Sequence, residues 1–142
     1  MATAKAGDEE AFVRGLGASE TVDYSAGDVA EQIRARHPDG IDVLIDVVNR
    51  GEAAAALAAL VRDGGRLATT MVSADIEGLA TRGVRATNAN ASPTTQKLTS
   101  LASSAASGDL KVHIQQTFAL ADVGAALTAF SAGTTGKIAV VA

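Results

Sequence analysis

The sequence predicts an α/β protein built on a doubly wound, mostly parallel sheet. Segments with strand patterns alternate with helical segments along the 142 residues, and each helical segment is long enough to return the chain in the same direction. The run IDVLIDVV at 41–48 is apolar on both faces, as the buried strands of parallel sheets are. We therefore expect this run at the centre of the sheet.

The first three elements follow from local patterns. Residues 7–18 carry acidic residues in a first turn and apolar residues at helical spacing, which predicts a short helix. Residues 20–24 have the composition of a brief strand. Ser25 and Asp28 are spaced as a capping box, which predicts a helix over 28–37.

The middle of the chain predicts one more helix and two more strands around the apolar run. Residues 52–65 read as a helix that places Leu57, Leu60 and Val61 on one face and ends at a glycine pair. Residues 66–72 then predict a strand, and residues 84–91 a weaker one.

The last third continues the alternation. Ser92 and Pro93 are typical of an N-cap and a first helical position, and Gly108 of a helix end. The remaining predicted elements are an extended segment, a helix and a closing strand, at 112–120, 120–133 and 136–142.

Composition argues against several classes of function. The net charge of −4, the absence of a basic run and an aromatic content of 3% argue against nucleic-acid binding. With no cysteine and only His37 and His113, a metal site is not expected. Neither a signal peptide nor an apolar run long enough to cross a membrane is present, so we expect a cytoplasmic protein without a membrane partner.

Four segments in a fixed order resemble a known family. They are TAKAGDEEAFVRGLGASETVDY, GIDVLIDVV, LVRDGGRLATT and TFALADVGAALTAFSAGTTGKIAVV. Together they resemble the medium-chain dehydrogenase/reductase superfamily, in particular its zinc-free NADPH quinone oxidoreductase and enoyl reductase branch, which is related to zeta-crystallin.

The resemblance implies the C-terminal part of a cofactor-binding domain. The expected fold is an incomplete Rossmann-like sheet that lacks the first strand and the glycine-rich turn. Residues 1–142 would form a single partial nucleotide-binding domain, and residues 110–142 resemble the segment that returns to a substrate domain not contained here.

The resemblance also implies which residues would meet NADPH. Thr3, Lys5 and Tyr24 would surround the 2′-phosphate, where an ammonium group and two hydroxyls suit a dianion. The alternative is that Lys5 is a solvated charge and Tyr24 a half-buried strand end.

A second group of cofactor-binding candidates follows the next two strands. Asp46 resembles a recurring family aspartate, and Val47 follows it towards the cofactor crevice. Met71, Val72 and Ser73 would face the nicotinamide half through their backbone. The resemblance assigns no catalytic residue and no metal site to this chain.

Two functional hypotheses follow. In the first, the chain is the cofactor-domain portion of an NADPH-dependent oxidoreductase that passes hydride to a quinone or conjugated carbonyl. It would be active only with the missing half supplied by another chain or by a longer gene product. Without the glycine-rich turn, NADPH binding loses roughly 4 kcal/mol, about a thousandfold in affinity.

The second hypothesis is non-enzymatic. A sheet without its first strand exposes backbone edges that favour pairing with another copy. The chain would then be a self-associating interaction domain, a homodimer or larger, derived from such a reductase.

Overall fold

Seven strands and six α-helices alternate along the chain in the computed structural model, which describes residues 1–142. Every strand pair is parallel. The predicted α/β class with parallel, Rossmann-like strand pairing is confirmed. The chain divides into two units, Met1–Ala91 and Ser92–Ala142.

The first unit contains two parallel sheets. One pairs β1 with β2, and the other has the order β3-β4-β5. Its strands are β1 (Ala2–Thr3), β2 (Thr21–Val22), β3 (Ile41–Asp46), β4 (Val61–Thr69) and β5 (Arg85–Asn88). Its helices are α1 (Asp8–Gly15), α2 (Val29–Arg36), α3 (Gly51–Ala58) and α4 (Ile76–Thr81).

The expectation that the apolar run forms the central strand is wrong. The run forms β3, but β3 lies at the edge of its sheet, and β4 is the central strand. On β3, Val43 and Ile45 remain 53% and 73% exposed. The run has the pattern of a strand covered on both sides, whereas in this structure only one of its edges is paired.

Two clusters of buried apolar residues hold the first unit together. The first cluster packs α2 and α3 against β2, and the second packs α4 against β4. Ile41 and Leu44 of β3 contact both clusters. The fully buried side chains at their centres are Val22 and Val61. The core therefore covers one face of the sheet around β3 and β4.

The helix predicted over 52–65 ends earlier, at Ala58. The N–H of Ile41 donates to the carbonyl of Leu60 at 2.9 Å, and Ile41 pairs with Val61. This pairing draws Val61 into β4, because a tertiary strand pairing outweighs the small helix propensity of single residues. The glycine pair at 64–65 lies in a bulge of β4, since the register changes between Val61 and Arg66.

Two helix starts also differ from those predicted. Asp28 is the N-cap of α2, and its carboxylate accepts the N–H of Glu31 at 2.7 Å. Ser25 takes no part in this cap, because it binds Asp23 instead. In the second unit Thr94 is the N-cap that accepts the N–H of Lys97, in place of Ser92.

The second unit contains α5 (Thr95–Ser107), β6 (Ile114–Ala119), α6 (Val123–Ser131) and β7 (Lys137–Val141). Gly108 ends α5 in the left-handed conformation, as predicted. Strands β6 and β7 pair in parallel, and a 3₁₀ turn at Leu120–Asp122 precedes α6. Its apolar side chains stay largely exposed, among them Leu127 and Phe130. No helix in the chain is both long and apolar enough for a transmembrane span.

Candidate functional site

Two buried polar side chains stand at the carboxyl ends of adjacent strands. Asp46 ends β3 and is 6% exposed, and Thr69 ends β4 and is 2% exposed. The two residues are paired in register. Ligands of open α/β sheets bind beyond the carboxyl ends of the strands, so these residues lie where a ligand is expected.

Asp46 shapes the loop that leads from β3 to α3. Its Oδ1 accepts the backbone N–H groups of Val48 and Asn49, both at 3.0 Å, and the side-chain amide of Asn49 at 2.9 Å. Buried carboxylates are stable when they are hydrogen-bonded in this way. One oxygen of the carboxylate therefore holds the loop in place.

Short polar side chains hold the next loop, after β4. The N–H of Met71 donates to Oγ1 of Thr69 at 3.0 Å, and the hydroxyl of Ser73 donates to the carbonyl of Asn49 at 3.2 Å. Asn88, at the end of β5, bonds both the N–H and the carbonyl of Ala74 at 3.1 Å. These bonds join the loops after β3 and β4 into one surface.

We call this surface, formed by residues 47–50 and 70–75, the carboxyl-edge ledge. The side chains of Asn49 and Ser73 bond inward, whereas Val47 and Val72 are 56% and 58% exposed. No nucleophile paired with a general base lies on it. The ledge therefore offers apolar side chains and backbone groups that can position a ligand, and its carboxylate, Asp75, caps α4 by accepting the N–H of Gly78.

Val72 is the one non-glycine residue with a positive φ, at 53°. This conformation is strained for a β-branched side chain.

We expect Val72→Gly to raise the free energy of unfolding by about 1 kcal/mol, because glycine adopts this conformation without strain. Urea unfolding measures the effect. The control is Val47→Gly, a similarly exposed valine without positive φ, which should destabilise by about 0.5–1 kcal/mol; equal effects of the two variants would contradict the strain.

The second group of predicted residues gathers at the carboxyl ends of β1 and β2. Thr3 pairs in register with Val22, and Lys5 and Tyr24 each follow their strand by two residues. The N–H of Ala6 donates to Asp23 at 3.1 Å, which links the two strand ends. Thr3, Lys5 and Tyr24 are all exposed.

Acidic residues share this second group, and the sequence analysis did not identify them. The hydroxyl of Tyr24 donates to the Glu9 carboxylate at 2.8 Å, and the N–H of Lys5 donates to the same carboxylate at 3.0 Å. These two bonds hold the pKa of Glu9 below its usual range. Glu9 in turn raises the pKa of Tyr24. A phosphate at this position would meet the charge of Glu9 as well as that of Lys5.

The Tyr24–Glu9 bond has a predictable pH dependence. Because the pKa of Glu9 is lowered in the folded chain, its ionised carboxylate stabilises the fold fully above about pH 4.5. This stabilisation is lost as the pH falls through the folded-state pKa. Because the pKa of Tyr24 is raised in the folded chain, its neutral hydroxyl stabilises the fold fully below about pH 10. This stabilisation is lost as the pH rises through the folded-state pKa. The bond therefore stabilises the first unit between these limits.

Tyr24 is the only tyrosine and the chain has no tryptophan, so absorbance of the tyrosinate reports this residue alone. We expect a pKa for Tyr24 above that of free tyrosine, because ionisation breaks the bond to Glu9. Glu9→Gln should return the pKa towards its ordinary value. Asp8→Asn, which removes a charge from the same helical turn without touching Tyr24, should change it less; equal shifts would show a general charge effect.

Three residues that shape these two groups, Asn49, Asn88 and Glu9, are not among those the sequence predicted. Each has a partner that is distant in sequence: Ala74 for Asn88, Ser73 for Asn49 and Tyr24 for Glu9. No local pattern identifies these pairs. The signal available was their position just beyond predicted strand ends. Among residues 1–142, no group of three or more His, Asp or Glu side chains is arranged to hold a metal ion.

Solved structures with the same fold cover nearly all of this chain. A quinone oxidoreductase of Pseudomonas syringae pv. tomato DC3000 is 25% identical over 99% of the chain, with a TM-score of 0.65. An NADPH:quinone reductase of Bacillus thuringiensis is 23% identical over 96%, with a TM-score of 0.63. An NAD-dependent alcohol dehydrogenase is 20% identical over 99%, with a TM-score of 0.69. The chain spans 48%, 46% and 43% of these structures, which is less than half of each.

The sequence comparison identifies the family. No curated protein matches the chain significantly. The family model described as zinc-binding dehydrogenase matches residues 16–140, which include the carboxyl-edge ledge and all but the last two residues of the second unit. The order of strands and helices, the ledge at the strand ends and this match agree with each other. The chain belongs to the zinc-binding dehydrogenase family of the medium-chain dehydrogenase/reductase superfamily, of which it contains the C-terminal cofactor-binding portion.

Proposed function

We propose that this chain is the cofactor-binding portion of an NADPH-dependent oxidoreductase that reduces a quinone or a conjugated carbonyl. The observation that carries the proposal is the family match over residues 16–140. The names of the quinone oxidoreductase and quinone reductase structures support the substrate class. We further propose that activity needs polypeptide beyond these residues.

The ledge fits a nicotinamide cofactor in its chemistry. Val47, Met71 and Val72 would contact the nicotinamide half, which is flat and largely apolar, and the backbone around Ser73 would orient it. The backbone N–H groups of Asn49 and Ala74 donate to the side chains of Asp46 and Asn88 and keep this surface in one shape, which lowers the ordering cost of binding. The cofactor would supply the hydride, and the chain would position it.

The group around Tyr24 would determine the choice between NADPH and NADH. Lys5 is exposed and lies close enough to influence both Glu9 and Asp23 electrostatically. Its ammonium group is the one cation of this group suited to a 2′-phosphate. Glu9 opposes that phosphate, because its carboxylate is held beside the Tyr24 hydroxyl. We propose that NADPH is preferred and that Glu9 limits its affinity.

The test is calorimetric titration of the full chain with NADPH and with NADH. We expect weak binding, in the millimolar range, with NADPH preferred. Lys5→Ala should weaken NADPH binding about tenfold and leave NADH nearly unchanged, since one charged contact is lost. Glu9→Gln should strengthen NADPH binding more than NADH binding.

The matched control for Lys5 is Lys111→Ala, which removes the same charge from the second unit. It should leave the ratio of the two affinities unchanged. Equal affinities for NADPH and NADH in the unmodified chain would contradict the NADPH preference. The titration is also repeated after adding the substrate domain of a full-length relative, and no binding of either cofactor under that condition would contradict the cofactor role.

Self-association is the alternative function, and one observation favours it. Leu127 and Phe130 of α6 are 62% and 64% exposed, and exposed apolar patches are typical of interaction surfaces. Light scattering over micromolar concentrations tests it. A dimer that dissociates in Phe130→Ser would support this alternative, whereas a monomer throughout would contradict it.

A further inference from the structure

Two arginines stand side by side on the three-stranded sheet of the first unit. Arg66 of β4 pairs in register with Arg85 of β5, and neighbouring strands lie about 4.8 Å apart. Both side chains are exposed. The ion pairs of the chain use other arginines, and neither of these two side chains has a hydrogen-bonding partner within residues 1–142. We call Arg66 and Arg85 the arginine pair. Like charges directly opposite each other on neighbouring strands are unfavourable.

The arginine pair lines a cleft of about 340 Å³ in the first unit. The cleft lies at the start of β5 and beside the bulge of β4, and the glycine pair at 64–65 forms part of its wall. Binding sites for small molecules have volumes of about 300–1,000 Å³. The cleft is therefore large enough for a small organic molecule.

Two carboxylates also line the cleft, and each is already paired. Asp42 forms an ion pair with Arg62, which lines the cleft as well. Asp63 accepts a hydrogen bond from Nε of Arg82 at 2.9 Å. With both acids paired in this way, the charge of the arginine pair remains unbalanced. The cleft therefore carries an excess of positive charge, which attracts an anion.

The number of donors favours a phosphoryl group over a carboxylate. The planar fork of one guanidinium group binds both oxygens of a carboxylate. A phosphoryl group has three strong acceptor oxygens, so two arginines on adjacent strands can bind it together. The pair therefore fits one phosphoryl group.

An apolar side chain borders the arginine pair on the same face of the sheet. Val43 of β3 pairs in register with Arg66 and lines the same cleft. It is 53% exposed. An apolar group joined to the phosphoryl group would cover this side chain and remove it from water. The cleft therefore favours an organic phosphate over the inorganic ion.

The cleft is separate from the two groups of residues described above. Arg66 precedes Thr69, the last residue of β4, by three residues, which is about 10 Å of strand. The cleft thus lies towards the amino ends of the strands, whereas the ledge lies beyond their carboxyl ends. Neither Lys5 nor Tyr24 lines it.

We propose that this cleft binds a small phosphate monoester, with the phosphoryl group between Arg66 and Arg85 and the apolar part of the ligand against Val43. Binding replaces the repulsion between two like charges by the attraction of both to one dianion. No bond of the ligand is made or broken, so the cleft is a binding site and not a catalytic one. The proposal does not depend on the oxidoreductase function.

The test is a titration of the full chain with phenyl phosphate at constant ionic strength, followed by nuclear magnetic resonance of the backbone amides. We expect saturable binding in the millimolar range that shifts the amide signals of Gly65, Arg66 and Arg85. Inorganic phosphate should bind more weakly, because it leaves Val43 uncovered. Phthalate, a dianion with the same ring but two carboxylates, should bind at least about tenfold more weakly.

Each other outcome of the titration overturns the proposal. Phthalate binding as tight as that of phenyl phosphate would mean a general attraction of dianions. Inorganic phosphate binding as tightly would mean a site for an adventitious ion only. Shifts at Lys5 and Tyr24 in place of the arginine pair would mean that the phosphate binds at the other end of the sheet. No saturable binding would mean that the cleft is not an anion site.

Substitutions of the arginines test the position of the ligand. Arg66→Gln and Arg85→Gln should each weaken the binding of phenyl phosphate about tenfold, because each removes a charged donor. Arg34→Gln is the matched control, since Arg34 is exposed and lies outside the cleft. Arg66→Lys keeps the charge but loses the fork, so it should weaken binding as well. Equal affinities of the three glutamine variants, or full affinity of Arg66→Lys, would overturn the proposal.

Thermal unfolding separates a role in binding from a role in the fold. Without ligand, Arg66→Gln and Arg85→Gln should have melting temperatures no lower than that of the unmodified chain, because each removes one of two like charges. Phenyl phosphate should raise the melting temperature of the unmodified chain and of Arg34→Gln, and should raise it less in the other two variants. Lower melting temperatures of both variants without ligand would show that the arginine pair stabilises the fold itself, and would overturn the proposal.

Discussion

Asp46→Ala is expected to lower the free energy of unfolding by about 3 kcal/mol. The substitution leaves three donors of the β3–α3 loop without their acceptor, at a site where Asp46 is 6% exposed. Buried donors without a partner cost about 1–3 kcal/mol each, and the loop recovers part of this by admitting water. Urea unfolding of the full chain, followed by the fluorescence of Tyr24, reports the first unit selectively, because this is the only tyrosine.

Asp42 provides the matched control on the same strand. Its carboxylate pairs with Arg62, and both side chains are more than half exposed. Exposed ion pairs contribute about 0–1 kcal/mol, so Asp42→Ala should have a small effect. Asp46→Asn, which keeps one acceptor oxygen, should fall between the two. Similar losses for Asp42→Ala and Asp46→Ala would contradict the role given to the loop hydrogen bonds.

The same comparison bears on ligand binding. The ledge keeps its shape because Asp46 holds the loop after β3 and because the backbone carbonyl of Asn49 accepts a hydrogen bond from the Ser73 hydroxyl. We therefore expect Asp46→Ala to weaken the binding of NADPH and NADH alike, whereas Lys5→Ala changes their ratio. The two variants separate a loss of surface shape from a loss of phosphate recognition.

Gly65→Ala is the second substitution expected to have a large effect, a loss of about 3 kcal/mol. A Cβ at Gly65 would lie 2.8 Å from the carbonyl oxygens of Arg62 and Asp42 and 2.6 Å from a methyl group of Val61. Two of these three atoms belong to the backbone of paired strands, so the bulge of β4 or its pairing with β3 must move. Thermal unfolding measured by circular dichroism detects the loss.

Gly15→Ala is the control for glycine replacement as such. Gly15 ends α1, and a Cβ there would meet nothing within 4 Å. Alanine favours helix over glycine by up to about 1 kcal/mol, so this variant should be neutral or slightly more stable. A melting temperature equally lowered in both variants would contradict the steric role of Gly65.

Local signals were sufficient where an element depends on its own residues. The acidic first turn and apolar spacing predicted α1, Asp28 lay within the predicted start of α2, and Gly108 predicted the end of α5. Each of these depends on hydrogen bonds or packing within a few residues. The boundary between α3 and β4 was wrong because Val61 pairs with Ile41, 20 residues away.

The candidate site residues came from the family resemblance, and their role in binding stays a prediction. Their proximity to one another follows from the fold, because parallel strands bring their carboxyl ends to one edge of a sheet. Thr3, Lys5 and Tyr24 do gather, as do Val47 and the residues 71–73. Glu9 was missed because its bond to Tyr24 joins residues 15 positions apart, and Asn88 because it bonds a loop 14 positions away.

The α/β class, the parallel pairing and the family could be predicted from the residues alone, since they follow from periodicity and from the order of four segments. The edge position of β3, the loop held by Asp46 and the acidic residue beside Tyr24 appear only in the folded chain. Periodicity is set by the geometry of neighbouring residues, whereas strand edges, buried hydrogen bonds and local charge depend on which distant segments come into contact.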